Sequence, residues 1–240
     1  ATYDYVLLKK EDNFKFNEKE FIEKINPEYK VIYIDNPNNP TGQIIPLSSI
    51  ENIVKEAAKY DIAVMVDEAY GEYMPKENSA VKLLNNYDNV IALKTFSKGF
   101  GLAGLRAGYA VLPEQLVSPI KKISTPYEVS EISRSIAANL LDDVQFIEEL
   151  KEKTKDIKNQ LLIPWKNLNI AETSDTVSIM TVEHKNKDID LQQEFAKLKI
   201  RVISGSDFTG LDKNFIRFRM PEEKELPEVI KAFQIIDNIE

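Results

Sequence analysis

The chain has 240 residues, of which 43% are hydrophobic and 29% charged, with a formal net charge of −8. That is enough apolar material for one core or two small ones, and the wrong sign of charge for a nucleic-acid binder. No apolar run approaches the ~20 residues needed to cross a bilayer; Ala1-Thr2-Tyr3-Asp4-Tyr5 does not read as a signal peptide, and the lack of cysteine is compatible with a cytoplasmic protein.

In chain order, residues 17–25 pattern as a helix, and Val31-Ile32-Tyr33-Ile34 as a buried strand ending in Asn36-Pro37-Asn38-Asn39-Pro40-Thr41-Gly42. A helix is predicted over 47–60, with Ser48 or Ser49 as its cap. Ile62-Ala63-Val64-Met65 reads as a second strand, leading to Asp67-Glu68-Ala69-Tyr70, and Val90-Ile91-Ala92-Leu93 as a third, leading to Thr95-Phe96-Ser97-Lys98-Gly99. Continuous β-branched runs separated by helices indicate parallel strands buried on both faces. A further strand over 108–112 closes at Pro113, followed by helices over 114–123 and 129–163, the latter broken near Asp142-Asp143. Beyond Pro164 the pattern becomes that of a small α+β domain: strands over 176–182, 201–204 and 215–220, and helices over 191–198 and 222–238. The fold class is therefore α/β, with an expected large domain over 1–145 and a small domain over 146–240.

The polar residues all fall where strands end, and in open α/β sheets ligand sites collect outside the carboxyl ends of the strands. Asn39, Asp67, Tyr70 and Lys98 are thus expected on one edge, though about 60 residues separate the first from the last. Lys98 stands between the hydroxyls of Thr95 and Ser97 and a glycine-rich turn, with Arg106 beyond. Lysine forms imines with carbonyl groups and arginine grips phosphate oxygens in a bidentate fashion. Pyridoxal phosphate has both an aldehyde and a phosphate.

The strings NPNNPTG (36–42), VDEAYGEY (66–73), TFSKGFGLAGLRAGY (95–109), PYEVSEIS (126–133) and FIRFRM (215–220) together resemble the class I/II aminotransferases. These are fold-type I pyridoxal-phosphate enzymes, and within them the match is closest to the histidinol-phosphate aminotransferase group. The resemblance implies a mostly parallel large-domain sheet, incomplete at its amino-terminal side, plus a small carboxyl-terminal domain. It also implies a cytoplasmic homodimer that needs sequence ahead of Ala1, since the family's Gly-rich phosphate turn is not found before residue 31.

Residue by residue, the resemblance makes Lys98 the imine-forming lysine and the base that moves the Cα proton. Asp67 becomes the partner of the cofactor ring nitrogen, and Tyr70 and Asn39 the partners of its phenolic oxygen. Thr95, Ser97 and Arg106 become phosphate ligands. Arg217 becomes the reader of the substrate carboxylate, with Arg219 the second candidate; on a strand the two share a face, with the apolar residues on the other. Glu68 reads as structural, Asn36 and Asn38 as turn residues, and His184, in a polar stretch, as a solvated loop residue. The implied reaction is transamination between an amino acid or amino-alcohol phosphate and a 2-oxo acid such as 2-oxoglutarate.

One departure stands out. Where the histidinol-phosphate group carries an arginine for the substrate phosphate this chain has Ile203, and Arg201 lies about 7 Å away at strand rise. Asp207-Phe208-Thr209-Gly210-Leu211 also resembles threonine-phosphate decarboxylases, so a lyase on the same scaffold is the alternative. A truncated, non-catalytic binding module is the reading of another class.

Overall fold

The structure is a computed structural model; it describes residues 2–125, 127–141 and 143–240. Pro126, in the fourth family string, and Asp142, in the expected helix break, lie outside the described residues. The chain forms two compact units: residues 17–38 with 44–150, and residues 1–16 with 39–43 and 151–240. The first sixteen residues and the 39–43 segment, expected from chain order in the large domain, therefore group with the carboxyl-terminal part.

The first unit is built on a four-stranded sheet of order β1 (Val31–Asp35), β2 (Ala63–Asp67), β3 (Val90–Thr95), β4 (Gly108–Val111). β1, β2 and β3 are parallel, and β4 is antiparallel to β3. Helix α1 spans Glu18–Glu23 and α2 Leu47–Ala58. On α2, Ile50, Ile53, Val54 and Ala57 recur at helical spacing, are all fully buried, and cover β2. Neither Ser48 nor Ser49 caps this helix: Pro46 is the N-cap, and Asn78 Oδ1 accepts the Leu47 N–H at 2.8 Å from a distant loop. The prediction of strands buried on both faces fails for β1, where Ile32 and Ile34 are buried but Val31 and Tyr33 are more than half exposed. Among the described residues, one face of that strand is left largely open. Helices α3 (Glu114–Ile123), α4 (Glu131–Leu140) and α5 (Val144–Asn159) follow, and the division between the units falls within α5.

The second unit has an antiparallel sheet of order β5 (Leu168–Ile170), β6 (Ile179–His184), β8 (Phe215–Arg219), β7 (Ile203–Ser204). Helices α6 (Leu191–Lys197) and α7 (Leu226–Asp237) complete it. Its core centres on Phe195, Phe218 and Phe233, whose ring centroids lie 5.1–5.8 Å apart. β5 is too short to show a periodicity. The helix predicted from 222 opens as a tight turn closed by a reciprocal Glu222/Glu225 capping box, so α7 proper starts at Leu226.

His184 is not a solvated loop residue. It ends β6, is 1% exposed, and exchanges backbone bonds with Asn214: its N–H donates to Asn214 O and its carbonyl accepts from Asn214 Nδ2, both at 2.8 Å. The polar neighbours that suggested a loop lie at the strand's end, while the six residues of β6 are buried throughout.

Candidate active site

Parallel register decides the site in the first unit. Asp35 pairs with Asp67 and Asp67 with Leu93, so β1, β2 and β3 end side by side. Asp67, the last residue of β2, has both carboxylate oxygens engaged: Oδ1 accepts from Ala69 N–H at 2.8 Å and Oδ2 from the Tyr33 hydroxyl. Burial, and then the hydrogen bond to the Asp67 carboxylate, push the Tyr33 hydroxyl well above the ordinary tyrosine range. The sequence reading missed Tyr33. Its signal was the strand parity that puts residues 33 and 35 on the same face as 65 and 67.

After Thr95 the chain turns sharply. Thr95 Oγ1 accepts from Ser97 N–H at 3.1 Å and lies 3.0 Å from Ser97 Oγ. Lys98 Nζ stands 5.5 Å from the centre of the buried Tyr70 ring. At Gly99 a Cβ would meet Glu72 Cβ at 2.6 Å, so only glycine lets this turn approach the 71–73 segment. Arg106 sits in the left-handed region at φ 49° and turns its Nη1 to Ala103 O at 3.1 Å. The outcome is a cleft of about 370 Å³ lined by Asp67, Thr95, Ser97, Lys98 and Arg106, together with Ala69, Leu93 and Lys94.

Behind this cleft lies a charged cluster. Glu68, fully buried, accepts from Ser79 Oγ at 2.7 Å and Ala80 N–H at 2.6 Å, and pairs with Lys94 Nζ at 2.7 Å. Burial pulls the Lys94 ammonium down, but the Glu68 carboxylate outweighs it and the net shift is upward. Glu72 is pushed up to about 7, first by burial, against the pull of Lys94, and its Oε2 has no hydrogen-bond partner among the described residues.

The other two expected site residues lie in the second unit. Arg217, on β8, donates from Nη1 to Asn39 Oδ1 at 3.2 Å, and its buried Nε has no acceptor among the described residues. Phe215 corrects the simple view of this strand: it lies on the arginine side, where it meets Phe14 edge-on at 5.7 Å. Arg219 is the exposed one of the two arginines. The 39–43 segment is held by Gln43, whose Nε2 donates to Phe14 O at 2.7 Å and whose Oε1 accepts from Phe16 N–H at 2.8 Å. Asn36, in the first unit, is more than a turn residue: it is fully buried and both donates to and accepts from the backbone of Ile45.

A lysine in a cleft with a carboxylate and phosphate-type donors at strand ends coincides with a family match over residues 1–233, to the model described as aminotransferase class I and II. The chain belongs to that family. It is 30% identical over 98% of its length to the histidinol-phosphate aminotransferase of Methanocaldococcus jannaschii, and 33% identical over 96% to that of Methanococcoides burtonii. It spans 63% and 62% of those two proteins. The histidinol-phosphate aminotransferase structure from Clostridium acetobutylicum superimposes with a TM-score of 0.83 at 24% identity, over 95% of this chain and 69% of that one, which establishes the shared fold-type I architecture. Among the described residues no helix is long and apolar enough to cross a membrane, and no cluster of acidic or histidine side chains could hold a metal.

Proposed function

We propose that the protein is a pyridoxal-phosphate-dependent aminotransferase, exchanging the amino group of an amino acid or amino-alcohol phosphate with a 2-oxo acid such as 2-oxoglutarate. The observation that carries this reading is the single cleft shared by Lys98, Asp67, Thr95, Ser97 and Arg106. The residues fit the cofactor chemically: an amine for its aldehyde, a carboxylate for its ring nitrogen, and two hydroxyls with a guanidinium for its phosphate. Bound there, the cofactor would supply an aldehyde for the substrate amine and an electron sink for the pair released at Cα.

The chain's own residues do the rest. Asp67, held by Ala69 and Tyr33, would offer a fixed anion to the ring nitrogen and so favour a proton there. Lys98 Nζ accepts the proton that leaves the substrate Cα and returns it. Tyr70, buried beside Lys98, limits where that amine can swing. Thr95, Ser97 and Arg106 bind phosphate and so fix the ring's position. Arg217, with an unmatched Nε, binds the substrate carboxylate, while Asn39 fixes its Nη1 and serves as a donor toward the ring oxygen. We further propose that the active unit is a cytoplasmic homodimer with the cofactor-binding and small domains divided near residue 145.

Borohydride reduction of the full-length, cofactor-loaded protein, followed by peptide mass analysis, is expected to put the pyridoxyl mass on Lys98; label on another lysine would overturn the assignment. Replacing Asp67 by Ala should lower turnover far more than cofactor affinity. Incubation with an amino donor and 2-oxoglutarate should yield glutamate without CO₂, and sedimentation should give a dimer.

A further inference from the structure

Lys158, in the carboxyl-terminal half of α5, has no exposed surface. Its ammonium donates to Thr173 Oγ1 at 2.7 Å and to the carbonyls of Ser174, Val177 and Ile179 at 2.6, 2.8 and 2.7 Å. Leucine at this place on a helix would cost nothing to desolvate, whereas a buried ammonium is costly unless its donors are all met. Here four oxygens from one short stretch, 173–179, converge on three N–H bonds, as they would around a bound cation.

That stretch is also the seat of the 39–43 segment. Ser174 N–H donates to Gly42 O at 3.0 Å. Gly42 sits at φ 77°, and a Cβ there would come within 2.2 Å of Ile179 O and 2.8 Å of Thr173 Oγ1, two of the oxygens that Lys158 gathers. Three residues before Gly42 is Asn39, the partner of Arg217. A second route leads to the same arginine: Ile179 opens β6, which pairs with β8 in the register Ile179↔Arg219 and Thr181↔Arg217.

We propose that Lys158 is a positioning residue: by tying down the 173–179 loop it fixes both the Asn39 segment and the start of β6, and so sets the Arg217 guanidinium for a substrate carboxylate. The proposal rests on the reading of Arg217 as the carboxylate site. Lys158 touches no substrate itself. Without it the loop carbonyls would seek water, Gly42 would lose its seat, and Arg217 would sample orientations that do not present two donors together.

The test uses the full-length, cofactor-loaded protein and 2-oxoglutarate. Lys158→Met is expected to raise the KM for 2-oxoglutarate about tenfold while kcat stays within about twofold, a split that general loosening of the fold would not produce. An unchanged KM in a folded variant overturns the proposal. Arg217→Lys, run in parallel, separates the two claims. If it leaves KM unchanged, the carboxylate reading itself fails; if it raises KM while Lys158→Met does not, only the clamp fails. Should Lys158→Met not fold, amide hydrogen exchange on the unaltered protein decides. Binding of succinate, a dicarboxylate that cannot react, must by reciprocity protect the 173–179 amides if that loop sets the arginine. Protection supports the clamp, and unaltered exchange there overturns it.

Discussion

Each unit buries a lysine, and they solve the same problem differently. In the sheet unit Lys94 faces a fully buried carboxylate, Glu68, which also holds Ser79 and Ala80. In the other unit Lys158 has three backbone carbonyls and a hydroxyl. Burial pushes the Lys158 ammonium down to about 7, against the pull of the Asp175 carboxylate. The difference concerns what each lysine organises. An ion pair links side chains on separate elements and leaves a titratable cluster behind the cleft. A carbonyl cage fixes one loop's backbone.

Breaking the ion pair should have the largest effect. Glu68→Gln leaves Lys94 buried beside a neutral amide, and is expected to cost about 3–5 kcal/mol of stability in urea unfolding. Adding Lys94→Met should recover part of that loss, because the unpaired charge is then gone. If the double variant were no more stable than the single one, hydrogen bonding to Ser79 and Ala80 would be the dominant role of Glu68. In the carbonyl cage, Lys158→Met orphans carbonyls but also removes a buried charge, so a smaller loss of about 2–3 kcal/mol is expected.

The titratable cluster adds a pH test in a window of its own, because the depressed Lys158 ammonium acts between about 7 and 10.5, where stability rises with pH. Glu72 has a folded pKa of about 7 against an ordinary 4.5, raised chiefly by burial. The folded state therefore holds more protons than the unfolded state between those values, and stability falls as pH rises through that window. Up to about 3 kcal/mol is at stake, and less in practice because the group is not wholly desolvated. Glu72→Gln should flatten the slope of unfolding free energy between pH 4.5 and 7, while variants at Lys158 should change it chiefly between 7 and 10.5. The smallest effect is expected at Tyr33→Phe, which removes one donor to Asp67 at a half-exposed site: below about 1 kcal/mol in stability, with a measurable change in cofactor absorbance as a function of pH.

The sequence by itself determined the order of elements, the three parallel strands and the chemistry at their ends. Those signals are local: β-branched runs, a helical apolar stripe on α2, and polar strings directly after strands. Asn39, Asp67, Tyr70 and Lys98 were expected on one edge because parallel strands in register deliver their carboxyl ends there, whereas Thr95, Ser97 and Arg106 were named from the string around Lys98 and its resemblance to the aminotransferases. Contacts between residues far apart in sequence decided the rest. Asn78, not a local serine, meets the amino terminus of α2, because a donor left bare at a helix end takes whichever acceptor the fold brings near. Tyr33 reaches Asp67 only once β1 and β2 are in register. His184 looks like a loop residue among its sequence neighbours, and is buried because Asn214 and the sheet close over it. Lys158 lies in a helix rich in lysine and glutamate, on the face of Ile147, Thr154 and Leu161, yet its residue type reads as solvated like its neighbours. Only the loop that folds back from residue 173 makes it interior, because the oxygens that render burial tolerable come from chain 15–21 residues away.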